Sequence, residues 1–133
     1  MTHVGRTFSF SLYGHNKRIL RIHGAGGTTT TPELVQRDLS ELYGFVQRTF
    51  ADRPFRLLTV LERMHLTLDR DAELATQGSL AMAQTFNVER AAYAVDKATL
   101  RLQFSRLFRE NRLADRFRAF ISEPEALTFL TLP

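Results

Sequence analysis

The sequence predicts an α/β domain with a mixed, mostly parallel sheet. Short apolar runs of strand length alternate along the chain with longer segments whose apolar residues recur every three or four positions. The run Phe55–Leu61 is apolar on both sides, which is typical of a strand covered by helices on both faces. Thr7–Tyr13 alternates with period two and is followed by the turn residues of Gly14–Lys17, which predicts an antiparallel hairpin at the N-terminal edge. We therefore expect a single domain over residues 1–133, with four to five strands and about four helices.

The alternation of strands and helices predicts right-handed crossovers between parallel strands. The first predicted helix has a capping-box spacing at Thr30 and Glu33, with Pro32 in its first turn. Ser122, Pro124 and Glu125 repeat this pattern before the last helix. The predicted strands are Thr7–Tyr13, Ile19–Ile22, Phe55–Leu61, Val88–Val95 and Phe117–Ile121. The predicted helices are Thr31–Ala51, Ala72–Phe86, Asp96–Asn111 and Ala126–Leu130.

The composition is that of an ordinary soluble domain, with 44% hydrophobic and 24% charged residues. The absence of cysteine excludes disulfides, thiolate metal sites and a cysteine nucleophile. No apolar run approaches the roughly 20 residues of a transmembrane helix, and the N-terminus lacks the apolar core of a signal peptide. We therefore expect a cytoplasmic protein without a transmembrane segment. Almost all of the basic residues are arginine. The net charge of +4 is too modest to predict binding to nucleic acid.

A glycine-rich turn, Gly24–Gly27, joins the second strand to the first helix, which is the layout that cradles phosphates. The lysine of a P-loop is absent, and Thr29 stands where the dinucleotide fingerprint has its third glycine. We interpret the glycines as residues that permit positive φ in a strand-to-helix turn. No cofactor is predicted.

A polar site at the strand ends is the main catalytic alternative. His23 ends one strand, and Glu62, His65 and Asp69 follow the next one, where parallel strand ends gather at one edge of a sheet. Carboxylates there could hold a metal or perform acid–base chemistry. However, the four histidines have no helical metal-site spacing, no Gly-x-Ser-x-Gly occurs, and Asp69 fits a helix cap. We predict no metal site and assign no catalytic residue.

Arginines form the one notable charge cluster. Arg109, Arg112 and Arg116 lie three and four positions apart, so they would share a face if the third helix extends that far. Such a face could bind phosphate, an acidic partner or an anionic membrane surface. Glu110 and Asp115 interrupt it, and a solvated helix face is the competing interpretation.

The stretch Val88–Asp96 resembles a strand and its exit in the SpoIIAA-like proteins, which are small bacterial STAS-fold domains. Residues 118–120 and 125–130 resemble that family's closing strand and last helix, with Phe129 where a tryptophan is usual. Gly24–Leu34 is similar to the family's second strand and helix start. The resemblance implies regulation or binding rather than catalysis. In phospho-regulated members an Asp-Ser-Ser-Gly-like sequence forms the switch, whereas here Thr67 is the only hydroxyl in that region and, with Asp69, the only regulatory candidate.

The leading hypothesis is therefore a non-enzymatic regulatory or interaction domain that binds a protein partner or a small apolar ligand. The open edge of such a sheet is also compatible with a homodimer. The alternative is an enzyme of unrecognised type acting near His23, His65 and Asp69.

Overall fold

The computed structural model describes residues 2–4, 8–14, 18–25, 32–62, 77–78 and 80–133. They contain one sheet of six strands that lie side by side in chain order. The strands are β1 (Thr2–Val4), β2 (Ser9–Tyr13), β3 (Ile19–Ala25), β4 (Phe55–Glu62), β5 (Val88–Val95) and β6 (Phe117–Phe120). The helices are α1 (Pro32–Thr49), α2 (residues 77–78 and 80–85), α3 (Ala98–Glu110) and α4 (Glu123–Leu130).

The sheet is mixed, as predicted. β1, β2 and β3 pair antiparallel, whereas β3, β4, β5 and β6 are parallel neighbours. The α/β class, the N-terminal hairpin and the five predicted strands are confirmed. β1 was not predicted, because a strand of only three residues is too short to show a period-two pattern.

One face of the sheet carries α1, α2 and α3. Each parallel connection steps to the next strand in the same direction, so right-handed crossovers place these helices on one side. Their apolar stripes meet the sheet in one continuous core. Its fully buried side chains include Leu20, Leu42, Val46, Phe55, Phe104, Phe108 and Phe117.

Among the described helices, α4 is the one that packs on the opposite face. Ala126, Phe129 and Leu130 of this helix pack on Leu58, Val60, Ala92 and Ala94 of the central strands. The alanines have short side chains, so the helix lies close to the sheet. The strand β4 is thus buried on both faces, which confirms the prediction for Phe55–Leu61.

The polar part of this second face lies over β2 and β3. Ser9 is opposite His23, and Ser11 is opposite Arg21, in the antiparallel ladder. Directly opposed residues share a face of the sheet. The pattern therefore explains why β2 alternates: Phe10 points into the main core, and the serines between the apolar residues point away from it.

The predicted helix boundaries are close to those observed, with one difference at the last helix. The N-cap of the last helix forms, since Ser122 Oγ accepts a hydrogen bond from the Glu125 N–H at 3.3 Å, but the helix begins at Glu123 rather than at Ala126. The first capping box, at Thr30 and Glu33, lies outside the described side chains, as does much of the predicted Ala72–Phe86 helix. Within the described ranges, no helix is both long and apolar enough to span a membrane.

Candidate functional site

The strand ends bring His23 against Glu62. His23 Nε2 lies 3.1 Å from Glu62 Oε2, across the C-terminal ends of the parallel neighbours β3 and β4. The side chains are 29% and 50% exposed, so solvent reaches the pair. The contact agrees with the expectation that the C-terminal ends of parallel strands lie at one edge of the sheet. The other residues predicted there, His65, Thr67 and Asp69, lie outside the described ranges.

An ion pair lies beside this contact on the same face of the sheet. Arg21 donates from Nε to Glu123 Oε2 at 3.1 Å and from Nη2 to Glu123 Oε1 at 3.0 Å. This bidentate hydrogen bonding raises the pKa of Arg21 against the opposing effect of partial burial. Arg21 and His23, two residues apart on β3, thus each contact a carboxylate. Among the described residues, no group of three or more histidine and acidic side chains is placed to hold a metal.

At the opposite end of α4, two arginines bind the backbone carbonyls that follow the last turn. Arg90 donates from Nη1 to the carbonyls of Phe129 and Leu132, each at 3.1 Å, and from Nη2 to that of Pro133 at 2.9 Å. Arg56 Nη1 donates to the carbonyl of Leu132 at 2.6 Å and also to that of Leu130. Cations at a helix C-terminus complement its dipole and satisfy its free carbonyls. These arginines therefore stabilise the fold by holding α4.

The predicted arginine face does not form. α3 ends at Glu110, and Arg112 adopts a φ of 60°. The Leu113 N–H donates to the Phe108 carbonyl at 2.7 Å, and the Arg112 N–H donates to the Arg109 carbonyl at 3.2 Å, which is the Schellman pattern that stops a helix. Because the helix stops there, Arg109 and Arg112 do not continue one face.

Arg116 is also bound elsewhere. Its Nη1 donates to the Val88 carbonyl at 3.0 Å, which ties the start of β6 to β5. Of Arg109, Arg112 and Arg116, Arg109 alone lines a groove that lies beside β6.

A groove of about 620 Å³ runs beside β6, between α3 and the start of α4. Its cationic side chains are Arg101 and Arg109 from α3 and Arg118 from β6, and its one acidic residue is Glu125. Leu102 and Ile121 also line it and are 59% and 52% exposed. The predicted strand ended at Ile121, whereas β6 ends at Phe120 and Ile121 follows it as an exposed residue.

The strand β6 is the last strand of the sheet. The Ala91 N–H of β5 donates to the Arg116 carbonyl, so residues 116, 118 and 120 turn their backbone groups toward β5. In a parallel ladder the alternate residues point the other way. The N–H and carbonyl of Ala119 therefore face the groove, and no residue in the described ranges pairs with them.

Comparisons of this chain with known protein families, with curated proteins and with solved structures gave no match.

Proposed function

We propose that this chain is a non-enzymatic interaction domain and that a protein partner binds in the groove beside β6. The observation that supports this most directly is the pair Leu102 and Ile121, two large apolar side chains that are more than half exposed and line the groove beside an edge strand. In the described ranges the other large exposed apolar residues are Tyr13 and Leu132. Apolar side chains that cluster at the surface mark contact surfaces more than scattered ones do.

The lining of the groove favours a protein over a small apolar ligand. Pockets for apolar small molecules are concave and enclose most of the ligand surface. Here Leu102 and Ile121 stand exposed at the surface, and three arginines share the lining with them. A broad surface of mixed apolar and arginine character is typical of a protein interface.

The SpoIIAA-like STAS assignment also stays a proposal. It is supported by the α/β class and by the residues that resemble that family's strand and closing helix. A regulatory role follows from that resemblance. A phosphorylation switch at Thr67 and a homodimer stay predictions.

Site-specific photo-crosslinking in the native host tests the interaction surface. A photoreactive amino acid placed at Leu102 is expected to form a covalent adduct with one defined protein. The same amino acid at Tyr13, which is 44% exposed and belongs to β2 at the far side of the sheet, is the matched control and should not form that adduct. Adducts of equal yield from the two positions, or none from Leu102, would contradict the proposal.

The contact between His23 and Glu62 favours a second candidate, an enzyme acting at the strand ends. A carboxylate that accepts a hydrogen bond from an imidazole can orient it as a general base. Turnover of chromogenic ester or phosphoester substrates by the wild type, lost in His23→Gln, would support this candidate. The same substrates should be turned over normally by Arg112→Gln, which changes a side chain outside the strand-end cluster.

A further inference from the structure

We infer that the occupant of the groove is an extended acidic segment of the partner protein, an inference that rests on the proposed function. The charge of the lining is the first reason: three arginines and one glutamate surround it. Arg101 and Arg109 form no ion pair with any residue in the described ranges. By contrast, Arg21, Arg56 and Arg90 are held by a carboxylate or by carbonyls. Arg101 and Arg109 can therefore form ion pairs with an anionic partner in the groove.

The spacing of the arginines indicates several anionic groups rather than one. Arg101 and Arg109 are two turns apart on α3, which corresponds to roughly 12 Å along the helix axis. In an extended chain, residues four positions apart point the same way and are separated by about 13 Å. A segment with acidic residues at alternate positions can therefore reach the two arginines at once, whereas a single fatty-acid carboxylate reaches one of them.

The shape of the groove indicates an extended segment. It follows β6, whose residue Ala119 directs its backbone N–H and carbonyl into the groove. Extended peptides commonly bind along such edges, with alternate side chains in flanking contacts. Leu102 and Ile121 provide apolar contacts for these side chains.

The charge also disfavours a second copy of this chain at the groove. Two copies meeting through β6 would bring Arg101, Arg109 and Arg118 close to the same arginines of the other copy. Like charges placed opposite one another across an interface weaken it. An acidic partner has the complementary charge.

Fluorescence anisotropy with a synthetic peptide tests the inference. The probe is a peptide of about eight residues, the length of an ordinary strand, that alternates glutamate with valine and carries a neutral fluorophore. The double variant Arg101→Glu/Arg109→Glu is expected to weaken binding at least about tenfold. The matched control, Arg48→Glu/Arg112→Glu, changes the net charge equally outside the groove lining and should alter binding less than about twofold. Binding of the acidic peptide should also weaken as salt is added.

Three outcomes of the peptide assay would overturn the inference: no binding of the acidic peptide, equal binding of a lysine–valine peptide, or equal weakening by the groove and control variants. Dimerisation of the wild type in sedimentation equilibrium that is lost in Ile121→Glu would assign the groove to a second copy and would also overturn the inference.

Failure of the proposed function can be distinguished from failure of this inference. Photo-crosslinking from Leu102 can be repeated in the Arg101→Glu/Arg109→Glu variant. If the same partner protein is captured equally well, the proposed interaction surface is supported, and the inference that an acidic segment binds there is contradicted.

Discussion

Arg21 and Glu123 are 102 positions apart in the sequence, and they join β3 to the first turn of α4 through two parallel hydrogen bonds. The carboxylate lies at the positive end of the helix dipole, so it stabilises the helix as well as the contact. At the other end of the same helix, Arg90 and Arg56 bind carbonyls. The only helix seen on this face of the sheet within the described ranges is thus held at each end by arginines that belong to strands.

A double-mutant cycle of Arg21→Ala and Glu123→Ala is expected to show favourable coupling of about 1 kcal/mol, measured by urea denaturation. The side chains are 26% and 30% exposed, so solvent screens the pair in part. Arg106 and Glu110 provide the control, because this pair on α3 is 47% and 59% exposed with a nitrogen–oxygen distance of 3.7 Å. Their coupling should be roughly 0.3–0.5 kcal/mol. Equal coupling in the two cycles would contradict the anchoring role of Arg21.

Arg90→Gln is expected to loosen the C-terminal end of α4. The variant removes a charged donor from the carbonyls of Phe129, Leu132 and Pro133, and hydrogen bonds to charged groups contribute about 1.5–3 kcal/mol. Hydrogen exchange followed by mass spectrometry should show faster exchange in residues 126–132, with α3 unchanged. Arg118→Gln is the control, since its guanidinium lies 5.0 Å from the centre of the Phe129 ring and it is not among the side chains that donate to these carbonyls. Equal acceleration in the two variants would contradict capping by Arg90.

The sequence predicted the class of fold well because its signals are local. The alternation in β2, the apolar run of β4 and the stripes of α1 and α3 each lie within one segment. The arginines that hold α4 are separated widely in sequence, and they meet only through the register of β4 and β5. The sequence nonetheless contains a sign of this contact. Arg56 is the one charged residue in an otherwise apolar strand segment, which indicates that its guanidinium has a specific hydrogen-bond acceptor.

The candidate site was predicted less well than the fold. His23 lies in β3 two residues before its end, because the strand continues to Ala25 past the predicted end at Ile22, and its contact with Glu62 depends on the parallel register of β3 and β4. The shared face of Arg109, Arg112 and Arg116 depended on the third helix extending that far, and α3 instead ends at Glu110, just before the left-handed residue Arg112. Leu102 could have been noticed, because it lies off the stripe formed by the buried residues of α3, and an apolar residue off that stripe faces solvent or a partner.

Ala51→Gly is expected to stabilise the chain by about 1 kcal/mol in urea denaturation. Ala51 has a φ of 52°, and its N–H donates to the Gln47 carbonyl at 3.1 Å beyond the end of α1. Glycine adopts this left-handed conformation without the penalty that a Cβ imposes. The control is Ala98→Gly in the first turn of α3, which should cost up to about 1 kcal/mol because the backbone there is right-handed. Destabilisation by the two substitutions alike would contradict the left-handed assignment.

Tyr43→Phe is expected to reduce the loss of stability at alkaline pH. Burial raises the pKa of Tyr43, whose ring lies edge-on to Phe86 with centroids 5.8 Å apart. The phenol therefore loses its proton in the unfolded chain at a lower pH than in the folded one. As pH rises above the unfolded value of about 10, the unfolded state is stabilised first, and the free energy of unfolding falls until the folded pKa is passed.

The measurement compares the free energy of unfolding of wild type and Tyr43→Phe at neutral pH and at several values above the ordinary tyrosine pKa. Below that pKa the difference between the two proteins should be constant, because each ring is neutral in the folded and unfolded states. Above it the difference should shift in favour of Tyr43→Phe, since phenylalanine has no proton to release and the other tyrosines are common to the two proteins. A constant difference across the whole range would show that the Tyr43 phenol titrates alike in the folded and unfolded chains, and that its burial has no effect on stability at high pH.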